Sequence, residues 1–269
     1  MKKIIAFDQD DTVNITKQPI DDEMAELLAK LLKKFDVAIV SGTNWPTMRR
    51  NDFEPLKRLV NVSELKRYHI MPTCGTQYWR FVGADAKLSA ADQKSGKILE
   101  DGWRREYAHF LNDEQVEKIS AALERASKSL GFWCDQPAGE IIENRQSQIT
   151  LSALGQFAST ADKYAWDPDQ AKRRQIVKLV EPELEPLGVM VRIGGTTSID
   201  VTLPGIDKAY AMRQLMKMLG VKKSEILFIG DKLQPGGNDF PVKDFGVDTI
   251  EVRDQADTKL ILQGILAVS

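Results

Sequence analysis

The chain opens with an unbroken apolar run, Ile4 to Phe7, that breaks abruptly into Asp8, Gln9, Asp10 and Asp11. A short continuous run of this kind reads as a strand buried on both faces, here with carboxylates at its C-terminal end. The next segment, DDEMAELLAKLLKKF, places Met24, Leu27, Leu28, Leu31 and Leu32 at helical spacing. It begins acidic and ends basic, as an amphipathic helix aligned with its own dipole does. A second apolar strand, DVAIV, follows and ends at Ser41-Gly42-Thr43. Strand, helix, strand in succession is a βαβ unit and predicts a parallel sheet. The pattern returns near the C-terminus: AYAMRQLMKMLG as a helix, EILFIG and VDTIEV as strands, and KLILQGILA as a closing helix.

The middle of the chain has another rhythm. Long amphipathic helices, DEQVEKISAALERASKSL and PDQAKRRQIVKLVEPELEPL, alternate with the short, more polar strands EIIEN, SQITLSAL, VMVRIGG and TSIDVTL. This is the signature of an α+β unit with an antiparallel sheet. The expected architecture is therefore α/β: a Rossmann-like core with a parallel sheet (1–86 and 201–269), interrupted by an inserted α+β cap domain (87–200). The stretch GADAKLSAADQKSGK reads as a linker or exposed loop.

Composition narrows the function. The chain has 269 residues, 42% of them apolar and 28% charged, with a net charge of −2. Nothing in that balance draws it to nucleic acid or membrane. The apolar start is too short for a signal peptide, and no stretch is long enough to span a bilayer. Cys74 and Cys134 lie far apart, in no metal-ligand spacing, and read as free thiols in a reducing cytoplasm. With only His69 and His109 available, a mechanism built on histidine or on histidine-bound zinc is disfavoured.

In an open parallel sheet, ligands sit beyond the carboxyl ends of the strands. Asp8 and Asp10 end the first strand, and Ser41 and Thr43 the second. Asp231 ends EILFIG, with Asn238 and Asp239 a loop later, and Lys208 begins the helix that leads into that strand. Several carboxylates converging on one crevice call for a cation, and an all-oxygen donor set favours Mg2+. A carboxylate can attack phosphorus to form an aspartyl-phosphate, with a cation, a lysine and a hydroxyl balancing the phosphoryl charge. Taken singly, each motif has a plainer reading: an acidic turn, a helix cap at SGT, an ordinary PGGND loop, a surface lysine. DQDD does not fit a calcium loop, which needs a helix before it and a glycine where Val13 stands. The tryptophans read as core, and only Trp45, next to SGT, is a candidate for the cleft.

These motifs resemble those of the haloacid-dehalogenase (HAD) superfamily. FDQDDT matches the DxDxT nucleophile motif, SGT the second motif, Lys208 the third, and GDKLQPGGND the acidic fourth, all in order. The resemblance implies Asp8 as nucleophile and metal ligand, and Asp10 as general acid/base with its main-chain carbonyl on the metal. It implies Asp231 and Asp239 as the rest of a Mg2+ site, Ser41 and Lys208 as catalytic, and Thr43 as a substrate contact. Asp11 stands where the superfamily usually has glycine. The inserted unit resembles the C2B-type cap of subfamily IIB, and EIIENRQSQITLSALGQ, IGGTTSIDVTLPGIDK and GDKLQPGGND resemble eukaryotic-type phosphomannomutase. That likeness implies phosphate binding by Arg145, sugar contacts from Ser198 and Asp200, and a homodimer through the cap, which no stretch of the sequence itself marks. Gln156, Lys163 and Lys17 stand where the mutases carry further arginines. Each charged hydrogen bond lost there weakens the grip on a second phosphate by about 1.5–3 kcal/mol. The expectation is therefore a Mg2+-dependent phosphatase acting on a phosphorylated sugar or similar small metabolite. A phosphomannomutase is the nearest alternative, and a non-catalytic metabolite-binding protein on the same fold the next.

Overall fold

The structure is a computed structural model describing residues 1–269. The apolar opening forms strand β1 (Ile4–Asp8), followed by helix α1 (Asp22–Leu32), β2 (Asp36–Val40), β3 (Tyr68–Met71), β4 (Gln77–Phe81), β5 (Ile98–Glu100) and β6 (Trp103–Ala108). The inserted segment carries α2 (Asp113–Ser129), β7 (Ile142–Asn144), β8 (Gln148–Ser152), α3 (Ala171–Leu184), β9 (Met190–Ile193) and β10 (Ser198–Thr202). The chain then returns with α4 (Lys208–Leu219), β11 (Ile226–Gly230), β12 (Asp248–Glu251) and α5 (Gln255–Val268).

The core sheet has the order β12-β11-β1-β2-β3-β4-β6-β5. The five strands from β12 to β3 run parallel, and β4, β6 and β5 add an antiparallel edge. Strand alternation sorts the core into two layers. Ile5 and Phe7 pack with Met24 and Leu28 of α1 and Leu262 of α5. Ile4 and Ala6 pack on the other face with Ala211, Met212 and Leu215 of α4. The cap sheet, β7-β8-β10-β9, is wholly antiparallel, and its apolar face packs on α2 and α3 through Ile149, Leu151, Ile199 and Val201.

The chain divides into two compact units, Met1–Ala108 with Ile206–Ser269, and His109–Gly205. The inserted unit therefore begins later than residue 87, because β5 and β6 pair with each other and with β4 and belong to the core sheet. The signal was present in the sequence. Asp101-Gly102 joins β5 to β6 with both residues at positive φ, 47° and 81°, the geometry of a tight hairpin turn. At the other end β10 runs to Thr202, so the unit closes beyond residue 200. Trp45 is not in the cleft. It is 5% exposed and stacks on Trp79 with centroids 4.1 Å apart, with Trp103 edge-on at 5.2 Å. No helix is long and apolar enough to cross a membrane.

Candidate active site

Three strands end level with one another. Asp8 pairs in register with Val40, and Phe7 with Ile229, so Asp8, Ser41 and Asp231 emerge at the same edge of the sheet. Asp8 is buried, and its Oδ1 lies 2.5 Å from Nζ of Lys208. The same Nζ lies 2.5 Å from Oδ1 of Asp239. Lys208 is the first residue of α4, a position unfavourable for a cation on dipole grounds. The two carboxylates reverse that. Burial alone would lower the ammonium's pKa, but Asp8 and Asp239 outweigh it and hold it above its ordinary value. Burial pushes Asp8 up to about 7, against the opposing pull of Lys208.

Asp239 is brought in by a glycine-dependent loop. Its Oδ2 accepts from the Lys232 amide at 3.1 Å. A Cβ on Gly237 would meet the Lys232 carbonyl oxygen at 2.1 Å, and one on Gly230 would meet Asp239 Oδ2 at 2.5 Å. Ligand oxygens of Asp8, Asp231 and Asp239 all lie within 4.8 Å of one another. Asp231 Oδ1 is buried without a hydrogen bond, while its Oδ2 meets Lys232 Nζ at 2.6 Å. Three carboxylates, one with an orphaned buried oxygen and with no imidazole or thiolate ligand among them, suit a hard divalent cation. The Asp10 carboxylate is not in this group. Its Oδ1 accepts from the Lys17 amide at 2.8 Å, and burial is the main cause of its raised pKa. The metal role drawn from the sequence concerned its main-chain carbonyl alone.

Ser41 is buried, and its Oγ accepts from the Thr43 amide at 3.1 Å, which shapes the turn carrying both hydroxyls. Asp11 also has a physical account. Its φ is +60°, a conformation glycine adopts freely and aspartate tolerates, and its Oδ1 accepts from Thr16 Oγ1 at 2.7 Å and Thr16 N at 3.2 Å. It secures the turn, and it is not among the three carboxylates of the metal group.

The cap residues form a second cluster on the polar face of their own sheet. Register aligns Glu143, Thr150, Asp200 and Arg192 in one row across all four strands. Asp200 Oδ1 accepts from Gln148 Nε2 and Thr150 Oγ1, both at 2.8 Å. Arg145 meets Glu143 Oε2 at 3.0 Å, and Ser152 Oγ donates to Glu143 Oε1 at 2.9 Å. Burial raises the pKa of Asp200, with Arg145 the chief opposing influence. Ser198 shares this face, opposite Ser152.

Sequence reading missed Asp52. It is fully buried in a one-turn π-helix (Arg49–Phe53), and its two oxygens accept from Gln9 Nε2 at 3.1 and 2.8 Å. Burial, reinforced by Asp10 and Asp8, lifts its pKa well above the carboxylate range despite the Gln9 bond. Asp52 therefore takes up a proton on folding in the pH interval just above the ordinary carboxylate value. The fold is most favoured below the unfolded carboxylate range, and stability is lost as pH rises toward the folded value. Asp52→Asn removes this dependence. Its melting temperature exceeds that of the parent, with a gap that widens as pH rises above the ordinary carboxylate value, at about 2–4 °C per kcal/mol recovered. Thermal melts across that range check it, and a gap that does not change with pH refutes it.

A parallel-rich core with an inserted cap, and this aspartate, lysine and acidic-loop geometry, define an enzyme of the HAD phosphoryl-transfer class. The model of the eukaryotic phosphomannomutase family matches residues 132–268, and the chain belongs to that family. Phosphomannomutase 2 of Dictyostelium discoideum is 26% identical over 264 residues, covering 96% of this chain and 94% of the relative. The phosphomannomutase of Saccharomyces cerevisiae is 26% identical over 243 residues, covering 89% of this chain and 84% of its own. Among solved structures, the IMP-nucleotidase of Plasmodium falciparum superposes with a TM-score of 0.69 at 18% identity, covering all of this chain and 63% of its own. The trehalose-6-phosphate phosphatase of Aspergillus fumigatus superposes with a TM-score of 0.55 at 14% identity, covering 100% of this chain and 93% of its own. At these identities the two structures speak for the fold.

Proposed function

We propose that this enzyme is a Mg2+-dependent sugar-phosphate mutase that interconverts mannose 1-phosphate and mannose 6-phosphate. The observation that carries this reading is the family match, which spans the cap's second half and the C-terminal core, and so includes both Arg145 with Asp200 and Lys208 with Asp239. Kinship with mutases along nearly the whole chain favours this reading over the hydrolysis expected from Gln156, Lys163 and Lys17. Lys163 Nζ donates to the Gln156 main-chain carbonyl at 2.9 Å, so this stretch of the cap keeps one cation.

The chemistry follows from the groups in place. An oxygen of Asp8 attacks phosphorus, and the bond from phosphorus to the sugar oxygen breaks. Asp10 gives its proton to the departing oxygen, leaving an aspartyl-phosphate on Asp8. A sugar hydroxyl then gives its proton to Asp10 and attacks the phosphorus, and Asp8 departs as carboxylate. Asp8, Asp231 and Asp239 would hold Mg2+, which supplies positive charge against the phosphoryl oxygens. Lys208 contributes charge of the same sign, and Ser41 Oγ and the Thr43 hydroxyl offer hydrogen bonds to the phosphoryl group. Within the cap, Arg145, Ser198 and Asp200 offer a guanidinium, a hydroxyl and a carboxylate of the kind that bind a sugar phosphate. Cys74 and Cys134 form no disulfide, which accords with work in the reducing cytoplasm.

Hydrolysis is the second reading, favoured by the absence of guanidinium groups at Gln156, Lys163 and Lys17. Phosphorus NMR on mannose 1-phosphate, with Mg2+ and a catalytic amount of a hexose bisphosphate, decides between them. The expected product is mannose 6-phosphate, with inorganic phosphate a minor species. Stoichiometric phosphate release without isomerisation overturns the mutase reading and establishes the hydrolase.

A further inference from the structure

Gln9 separates the two aspartates assigned to chemistry, and its side chain takes the opposite direction from that of Asp8. Ile4 and Ala6 face α4, and Asp8 continues that face to meet Lys208. Ile5 and Phe7 face the α1 layer, which also contains Phe53, and Gln9 continues that face to meet Asp52. Gln9 is 1% exposed and Asp52 is 0% exposed. The main chain of Gln9 is a junction. Its N–H donates to Asp8 Oδ1 at 2.6 Å, fixing the carboxylate's rotamer. Its carbonyl oxygen accepts from the amides of Thr12 at 3.3 Å, Val13 at 2.9 Å and Asn14 at 3.3 Å, closing the turn that carries Asp10. Whatever sets the orientation of the Gln9 peptide therefore sets both carboxylates. The side chain of Gln9 is held at one end only, by Asp52, because its Oε1 is buried without a hydrogen bond. Asp52 in turn is fixed by a π-helical turn, a local distortion found often at functional sites.

We infer that Asp52 is a positioning residue for phosphoryl transfer: by gripping the Gln9 side chain from behind the sheet, it holds the Asp8 carboxylate and the Asp10 turn in their working relation. This rests on the assignment of Asp8 as nucleophile and Asp10 as acid/base. Nothing in the fold alone asks for a carboxylate here, since an apolar pair at 9 and 52 would continue the layer formed by Phe7 and Phe53 without burying an acid.

The test is steady-state kinetics with full-length Gln9→Leu, Asp52→Ala, the double variant and Asp52→Asn, each confirmed folded by circular dichroism and thermal melting. Gln9→Leu and Asp52→Ala should each lower kcat by about 10–100-fold, the range a small misplacement of reacting groups produces, with KM changed less than about threefold. The double variant should be no slower than the worse single, because one linkage is broken twice. Asp52→Asn, which can still accept from Gln9 Nε2 and can donate to Oε1, should recover most of the kcat lost in Asp52→Ala. Unchanged kcat in a folded Gln9→Leu overturns the inference, as do losses that multiply in the double variant or fall on KM alone. If Asp52→Ala does not fold, Gln9→Leu and Asp52→Asn still decide it. Asp8→Asn separates the two levels. Turnover retained in Asp8→Asn removes the nucleophile assignment and the positioning role with it, whereas an inactive Asp8→Asn beside fully active Gln9 and Asp52 variants removes the positioning role alone.

Discussion

Asp8→Asn should lower kcat by about 10⁴-fold or more, the scale seen when a nucleophile is removed from a preorganised site. The substitution is nearly isosteric. The asparagine carbonyl can still accept the Gln9 amide that now reaches Asp8 Oδ1 at 2.6 Å, so the strand end keeps its shape. What goes is the lone pair that attacks phosphorus, together with one of the two charges flanking Lys208. Lys208 keeps Asp239, so no buried cation is left alone. Asp8 is also a group that burial makes costly to ionise, and removing that cost should leave the folded protein at least as stable. The expected pattern is therefore an inactive enzyme with an undiminished melting temperature. Intact-mass measurement on acid-quenched reactions should show a phosphoryl adduct in the parent and none in the variant. A variant that turns over within tenfold of the parent would sink the aspartyl-phosphate mechanism.

Legibility from the sequence depended on how local each signal was. β1 and β2 were plain because burial on both faces forces uninterrupted apolar runs, and their polar exits located Asp8 and Ser41. Lys208 was found by its motif, and only the fold shows why it starts a helix: two carboxylates on other elements need it. The boundary at residue 87 failed because β5 and β6 join the core sheet through antiparallel pairing with β4, a long-range choice that polar edge strands do not announce. The Asp101-Gly102 turn was the one local clue. Asp52 was invisible for a stronger reason. RRNDFEPL has the composition of a solvated face, and Asp52 is buried only because a π-helical turn carries it beneath Gln9. Asp11 shows the converse, a departure from family pattern that a single backbone angle explains. The hydrolase expectation weighed three side chains heavily, while the family match spans the cap's second half and the C-terminal core.

Lys208→Met should be the most damaging single change to stability, and it should also slow turnover. The ammonium is 1% exposed and bridges two buried carboxylates, and methionine fills similar space without charge. Breaking a buried ion pair by removing one partner costs about 3–5 kcal/mol, since the remaining charge stays desolvated. Here two acids remain, with Asp231 close by, and they repel. The pH dependence follows from the sign of the Asp8 shift. With Lys208 present, burial has already raised Asp8 to about 7, and the lysine is the main influence holding it down. Without the lysine, Asp8 rises further. The variant's stability should be highest in acid, where the carboxylate is protonated in both states, and should fall as pH climbs through the higher folded value. The deficit in melting temperature relative to the parent should thus be small near pH 5 and large near pH 8. Added Mg2+ should narrow it at pH 8 more than at pH 5, because a divalent cation can replace the lost charge only where the acids are ionised. Turnover should fall by about 10²–10³-fold, as when one preorganised charge-stabilising group is lost, with its acid limb moved to higher pH because Asp8 must ionise to attack. Equal melting temperatures for parent and variant at pH 8 without Mg2+ would mean that Lys208 does not compensate the acidic cluster.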